Sequence, residues 1–297
     1  MIRHGELRCD TLHEWLQGDV QGNTAYRHRL LRENTAFRPQ ALIDLRLIFG
    51  RVHRDAKRHL AAVVADDLDP VTVGLPAPWD GYPTELHDTT KQGYFGEILA
   101  AVLAENLSPF DENCWRVPVV LFRFHLSALQ IIERTWQGGR SGTAIPGRPG
   151  DDCLAFVLSN RGEITKVLYA EAKCCLQHQT VHLRKAHKQV GSAPADLPKL
   201  IEVLKDYSGD AEADFWRKAL RNLWLRQQVA NPIRHNLVVY VCGKSPSSQR
   251  RRSSWLDRGS PCSAYRSTSA LEAVEIHLQG IADLVRGIYE DLVVAIN

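Results

Sequence analysis

The sequence predicts an α/β protein, a mixed central β-sheet flanked by helices, preceded by an N-terminal mixed α/β extension over residues 1–88. Three observations carry this expectation. Residues 151–175, DDCLAFVLSNRGEITKVLYAEAKCC, hold two apolar runs joined by a short polar turn containing Gly162, the pattern of a β-hairpin. Residues 89–107, TTKQGYFGEILAAVLAENL, space Phe95, Ile98, Leu99, Val102 and Leu103 along a helix, with Pro109 just beyond to stop it. Residues 235–243, HNLVVYVCG, read as another strand, and an order of helix, strands, helices, strand, helix layers helices on a sheet.

The remaining elements follow in order. Residues 1–88 alternate polar clusters with the apolar runs ALIDLRLIFG (41–50) and HLAAVVADDL (59–68), then reach the Pro-rich turn GLPAPWDGYP (74–83). Residues 89–297 form the main domain. WRVPVVLFRFH (115–125) reads as a strand whose Pro118 assigns it to an edge or a start. LSALQIIERTW (126–136) reads as a helix, and the glycine-rich QGGRSGTAIPGRPG (137–150) as a loop. Beyond the hairpin, HLRKAHKQV (182–190), ADLPKLIEVLKDY (195–207) and DAEADFWRKALRNLWLRQQVA (210–230) are helical. The chain closes with apolar residues at 271, 274, 278, 281, 285 and 288, a spacing that predicts a terminal helix.

Composition narrows the function classes. A chain of 297 residues with 44% hydrophobic and 24% charged side chains is an ordinary globular protein. No stretch approaches the ~18 uninterrupted apolar residues of a membrane helix, so no membrane partner is expected. The N-terminus lacks the apolar core of a secretion signal, and seven cysteines without a CxxC spacing argue against a disulfide framework, so a reducing cytoplasm is the expected compartment. Net charge is only +3, but Lys244, Arg250, Arg251, Arg252, Arg258 and Arg266 concentrate in the Ser-rich segment 243–267. That is either a solvated loop or a loop that tracks phosphates.

The chemistry centres on VLYAEAKCC (167–175). Side chains two apart share a face of a strand, so Tyr169, Glu171 and Lys173 point one way and Ala170, Ala172 and Cys174 the other. By itself, the Glu171 and Lys173 pairing reads equally well as a surface ion pair. Taken with Glu97 in the helix and Asp151 or Asp152 at the start of the hairpin, it supplies hard oxygen ligands for Mg²⁺ or Mn²⁺ and a cation beside them. These are the requirements of metal-dependent phosphodiester cleavage.

GYFGEILAA, RPGDDCLAF and YAEAKC together resemble the PD-(D/E)xK nuclease superfamily over about residues 90–190. The resemblance implies a restriction-endonuclease-like core and a Mg²⁺- or Mn²⁺-dependent deoxyribonuclease. It assigns Asp152 (or Asp151), Glu171 and Glu97 to the metal, and Lys173 to the attacking water. Pro149 is separated from the Asp pair by Gly150, a departure that leaves the choice between the two aspartates open; Asp152 abuts the strand and is preferred. The layout also resembles the nuclease subunit of the Hachiman anti-phage defence system, which implies a DNA-cutting effector restrained by a helicase partner. On the following helix, Lys185, Lys188 and Gln189 stand where superfamily members contact phosphate or metal-bound water, and Arg250, Arg251 and Arg252 are the loop's candidate DNA contacts.

Competing readings are weaker. His178 and His182 have zinc-like spacing but no third ligand at a recognisable distance. Cys174 and Cys175 read as packing residues, and no Walker or dinucleotide loop is present. The serious rival is a nuclease fold that binds nucleic acid or a protein partner without cutting; a structural adaptor in which Glu171 and Lys173 merely pair is the third class.

Overall fold

The computed structural model describes residues 1–65, 82–84, 86–121, 153–192, 196–228, 230–246, 253–290 and 292. The architecture is α/β: one six-stranded open sheet flanked by helices on both faces. The strands are β1 (Leu16–Gly22), β2 (Tyr26–Glu33), β3 (Cys153–Leu158), β4 (Ile164–Cys175), β5 (Ile233–Cys242) and β6 (Ala270–His277), in the spatial order β1-β2-β6-β5-β4-β3. β2, β6, β5 and β4 run parallel, and an antiparallel partner closes each side, β1 on β2 and β3 on β4. The sheet is therefore mixed, as the sequence predicts.

Seven helices complete the described fold: α1 (Leu12–Trp15), α2 (Arg38–Ala65), α3 (Asp88–Asn106), α4 (Thr180–Ser192), α5 (Leu197–Val203), α6 (Ala211–Trp224) and α7 (Ile281–Glu290). α2, α3 and α7 cover one face, burying Phe49, Leu99 and Ile288 against Ala170, Val239 and Val274. α4 covers the other, where Leu183 and Val190 meet Val238 and Tyr240, and α5 and α6 extend that layer over Leu154 and Phe156. α3 is apolar all round from Ile98 to Ala104 because it lies in the core between the sheet and its neighbouring helices. Its start is capped by His87, whose Nδ1 accepts from Thr89 N at 3.3 Å. α6 is capped by Asp210, which accepts from Glu212 N at 2.9 Å and Ala213 N at 3.1 Å.

Two elements differ from the sequence reading. The apolar positions from 271 onward belong to a strand, β6, and then to α7, rather than to one terminal helix. β6 is interior and parallel, so both of its faces are buried and the alternation that marks a half-exposed strand is erased. Gly280, at φ +60°, turns the chain between the two elements. In the predicted strand at 115–125, residues 115–121 make only an isolated bridge, in which Arg116 and Phe156 exchange N–H···O bonds of 2.9 Å each. Pro118 has no N–H to continue a ladder there. Residues 122–125 and the helix read at 126–136 lie outside the described residues.

Residues 1–88 supply two of the six strands. β2 pairs with β6 from Tyr26↔Leu271 to Arg32↔His277, so the region read as an extension is hydrogen-bonded into the same sheet as the hairpin.

Candidate active site

β4 brings Glu171 and Lys173 to the face covered by α4. Parallel pairing sets Glu171 beside Val238 and Lys173 beside Tyr240 on β5. Glu171 is 1% exposed and Lys173 is 21% exposed, so the carboxylate lies in the core and the ammonium reaches toward water. Lys173 Nζ donates to Glu171 Oε1 and, at 2.9 Å, to the carbonyl of Ala172. A carboxylate this deep is costly unless a cation or a metal compensates it, and Lys173 is the compensating group on the same strand face.

The surroundings of the pair are built by the end of β4 and by α4. Cys175 Sγ lies 3.2 Å from His182 Nδ1. Burial lowers the His182 pKa, with Lys173 and Lys185 adding to it, so this ring is held neutral. His178 stacks on Trp255 at 4.2 Å and bonds Tyr240 Oη through Nδ1 at 3.0 Å. Burial pushes the Cys175 thiol up to about 11 and Cys174 higher still, which leaves both protonated and argues against a thiol nucleophile. His178, His182 and His187 have separate partners, His187 donating from Nδ1 to the carbonyl of Leu183 at 2.9 Å. Among the described residues no group of three or more His, Cys, Asp or Glu can hold a metal ion.

The other expected site residues fall as follows. Glu97 is half-buried on α3, which packs on the opposite face of the sheet; a Cβ at its neighbour Gly96 would stand 3.3 Å from Cys174 Cβ. Gln92, on the same helix, donates to the carbonyl of Cys174 at 2.8 Å and ties α3 to the end of β4. The charge of Glu97 bears on Tyr82, Tyr94 and Tyr289, each already raised by burial. Asp151 and Asp152 lie outside the described residues; Cys153, which follows them, pairs with Ala170, the residue before Glu171. The donor type present at the pair is a hard carboxylate oxygen, which suits Mg²⁺ or Mn²⁺ and not a soft metal.

On α4, Arg184, Lys185 and Lys188 are exposed and Gln189 is half-buried. Val181, Lys185 and Lys188 follow helical spacing and form one outward stripe. Arg250, Arg251 and Arg252 lie outside the described residues, but the segment that follows them is fixed. Glu275, 0% exposed on β6, accepts from Trp255 N at 2.8 Å, Leu256 N at 3.0 Å, His277 Nε2 at 2.6 Å, His28 Nε2 at 3.3 Å and the hydroxyl of Ser254. Burial raises the Glu275 pKa, but those donors together overcome it and hold the carboxyl well below its usual range. The sequence reading missed this anchor; the signal available was a carboxylate inside an apolar run, at ALEAVEIH.

No protein-family model matches this chain, and no curated protein matches it.

Proposed function

We propose that the chain is a Mg²⁺- or Mn²⁺-dependent deoxyribonuclease with a restriction-endonuclease-like core, acting as the effector of a bacterial anti-phage defence system and restrained by a helicase partner. The observation that carries this reading is a buried carboxylate, Glu171, coupled to Lys173 on the β4 face, beside a β3 strand that begins immediately after Asp152. Glu171 and Asp152 would hold the cation, and Glu97 would support the site from α3, across the sheet. The bound cation supplies charge neutralisation at the scissile phosphate and a more acidic water. Lys173 orients that water and steadies developing negative charge, and the α4 stripe of Lys185 and Lys188 meets the DNA backbone.

The test is incubation of the purified chain, with and without a co-expressed helicase neighbour, on plasmid and linear DNA in Mg²⁺, Mn²⁺ or EDTA. Cleavage is expected in either metal and is lost in EDTA and in Lys173→Ala. Cleavage that survives either treatment overturns the mechanism.

A second reading, a nuclease-fold protein that binds without cutting, is favoured by one feature. Lys173 already donates into Glu171, which is how a purely structural pair would look. Metal-independent DNA binding with no cleavage under any condition, partner included, decides for it.

A further inference from the structure

On the helical layer formed by α2, Arg51, Arg54 and Arg58 follow one another at helical spacing and line a cavity of ≈ 270 Å³. The N-terminal segment closes one side of this cavity with Arg3 and Glu6, and the turn before α6 closes another with Tyr207, Ser208 and Asp210. Its charges do not cancel. Arg3 pairs with Asp210 at 2.9 Å, and Asp55 pairs with the Met1 nitrogen at 2.7 Å. Glu6 accepts the backbone N–H of Arg3 at 2.8 Å. Among the described residues Arg51 donates to the carbonyl of Glu6, at 3.0 Å, Arg58 lies over the Tyr207 ring at 4.9 Å, and Arg54 has no ion pair. Three guanidinium groups therefore stand against one carboxylate, an excess of two positive charges in one cavity.

We propose that this cavity binds the phosphate dianion of a small phosphorylated molecule. One dianion neutralises the excess, and guanidinium forks match tetrahedral phosphate oxygens through paired N–H donors. The cation–π contact with Tyr207 holds the Arg58 guanidinium at the cavity wall. Tyr207 and Asp55 line the same cavity. The cavity has room for a phosphate carrying a pentose-sized substituent and none for a folded polymer. The site is formed by elements other than β4 and α4, so it stands independently of the nuclease reading.

The experiment is calorimetric titration of the full chain, carrying its purification tag at the C-terminus, with inorganic phosphate, ribose 5-phosphate and ribose at constant ionic strength. Saturable binding of phosphate or ribose 5-phosphate with a Kd below about 1 mM, and none of ribose, is expected. Tighter binding of ribose 5-phosphate assigns the site to a phosphomonoester; equal binding assigns it to free phosphate. Arg54→Ala and Arg58→Ala should each weaken binding about tenfold or more, since a hydrogen bond to a charged group is worth about that factor. Both side chains are exposed, and an unchanged thermal melt verifies that the variants fold. No saturable heat with either phosphate, or affinity unchanged in both variants, overturns the proposal.

Discussion

Lys173 and Glu171 are the residues on which the functional reading turns, and their burial makes the two readings separable. Removing Lys173 takes away the cation that Glu171 pairs with in the core, so Lys173→Met is expected to cost about 3–5 kcal/mol, while Glu171→Leu combined with Lys173→Met recovers most of it. Urea melts of the single and double variants measure this. In a nuclease all of these variants lose cleavage, by about 10²-fold or more for a group that stabilises transition-state charge. A folded double variant that still cuts would remove Glu171 and Lys173 from the chemistry. The pairing itself was legible in the sequence, because strand periodicity alone puts the two side chains on one face. The depth of Glu171 was not, since it depends on α4 and on β5, elements contributed from further along the chain.

At the scale of elements, the hairpin, α3, α4, α6 and β5 were readable because each carries its own period and its own terminator. β6 was not, because an interior parallel strand has no polar face to show. The junction where β5 ends beside β4 offers a sharp test. Gly243 N donates to the carbonyl of Cys175 at 2.9 Å, and a Cβ on Gly243 would fall 2.6 Å from the Leu176 carbonyl oxygen. Gly243→Ala must therefore push the chain that follows the Glu171–Lys173 strand, with an expected loss of about 1–3 kcal/mol in chemical denaturation. The α4 stripe makes a second prediction. Lys185→Ala with Lys188→Ala should weaken DNA binding uniformly across sequences and reduce the slope of log affinity against log salt by about 2, one unit for each phosphate left without its lysine. An unchanged slope returns the stripe to plain solvated surface.

For the whole molecule, acid sensitivity follows from groups that hold the layers together. His53 is fully buried between α2 and α7, with Nδ1 to Tyr82 Oη at 2.5 Å and Nε2 to Tyr289 Oη at 2.9 Å, and burial lowers its pKa to about 3. A histidine whose folded pKa is depressed leaves the unfolded chain to take up the proton first. Its contribution is complete above about pH 6.5 and is lost as pH falls toward 3. Glu275, depressed as a carboxylate, acts in the same direction below its unfolded pKa. Between pH 7 and pH 5 the fall in urea midpoint should be smaller in His53→Phe than in the native chain, a difference unaffected by Glu105, which burial raises to about 7 and which acts in the opposite direction in both proteins; equal pH slopes contradict the neutral buried imidazole. The division at residue 88 is testable at this scale too. Deleting residues 1–33 strips β1 and β2 from β6 and uncovers Glu272 and Glu275, so the remainder should aggregate rather than fold as a free domain, as sedimentation would reveal.

The β2–β6 pairing also fixes when the protein can fold. Tyr26 through Arg32 leave the ribosome well before residues 271–277, the strand they lie against. Until residues 270–277 emerge, one side of β2 has no partner and β5 is left as an edge. Contacts that span nearly the whole chain are slow to form, and unpaired parallel strands are prone to capture by other chains while they wait. The sheet is therefore completed only once residues 270–277 have been made. Nascent chains stalled before residue 270 should be digested by protease throughout β2, whereas released chains resist.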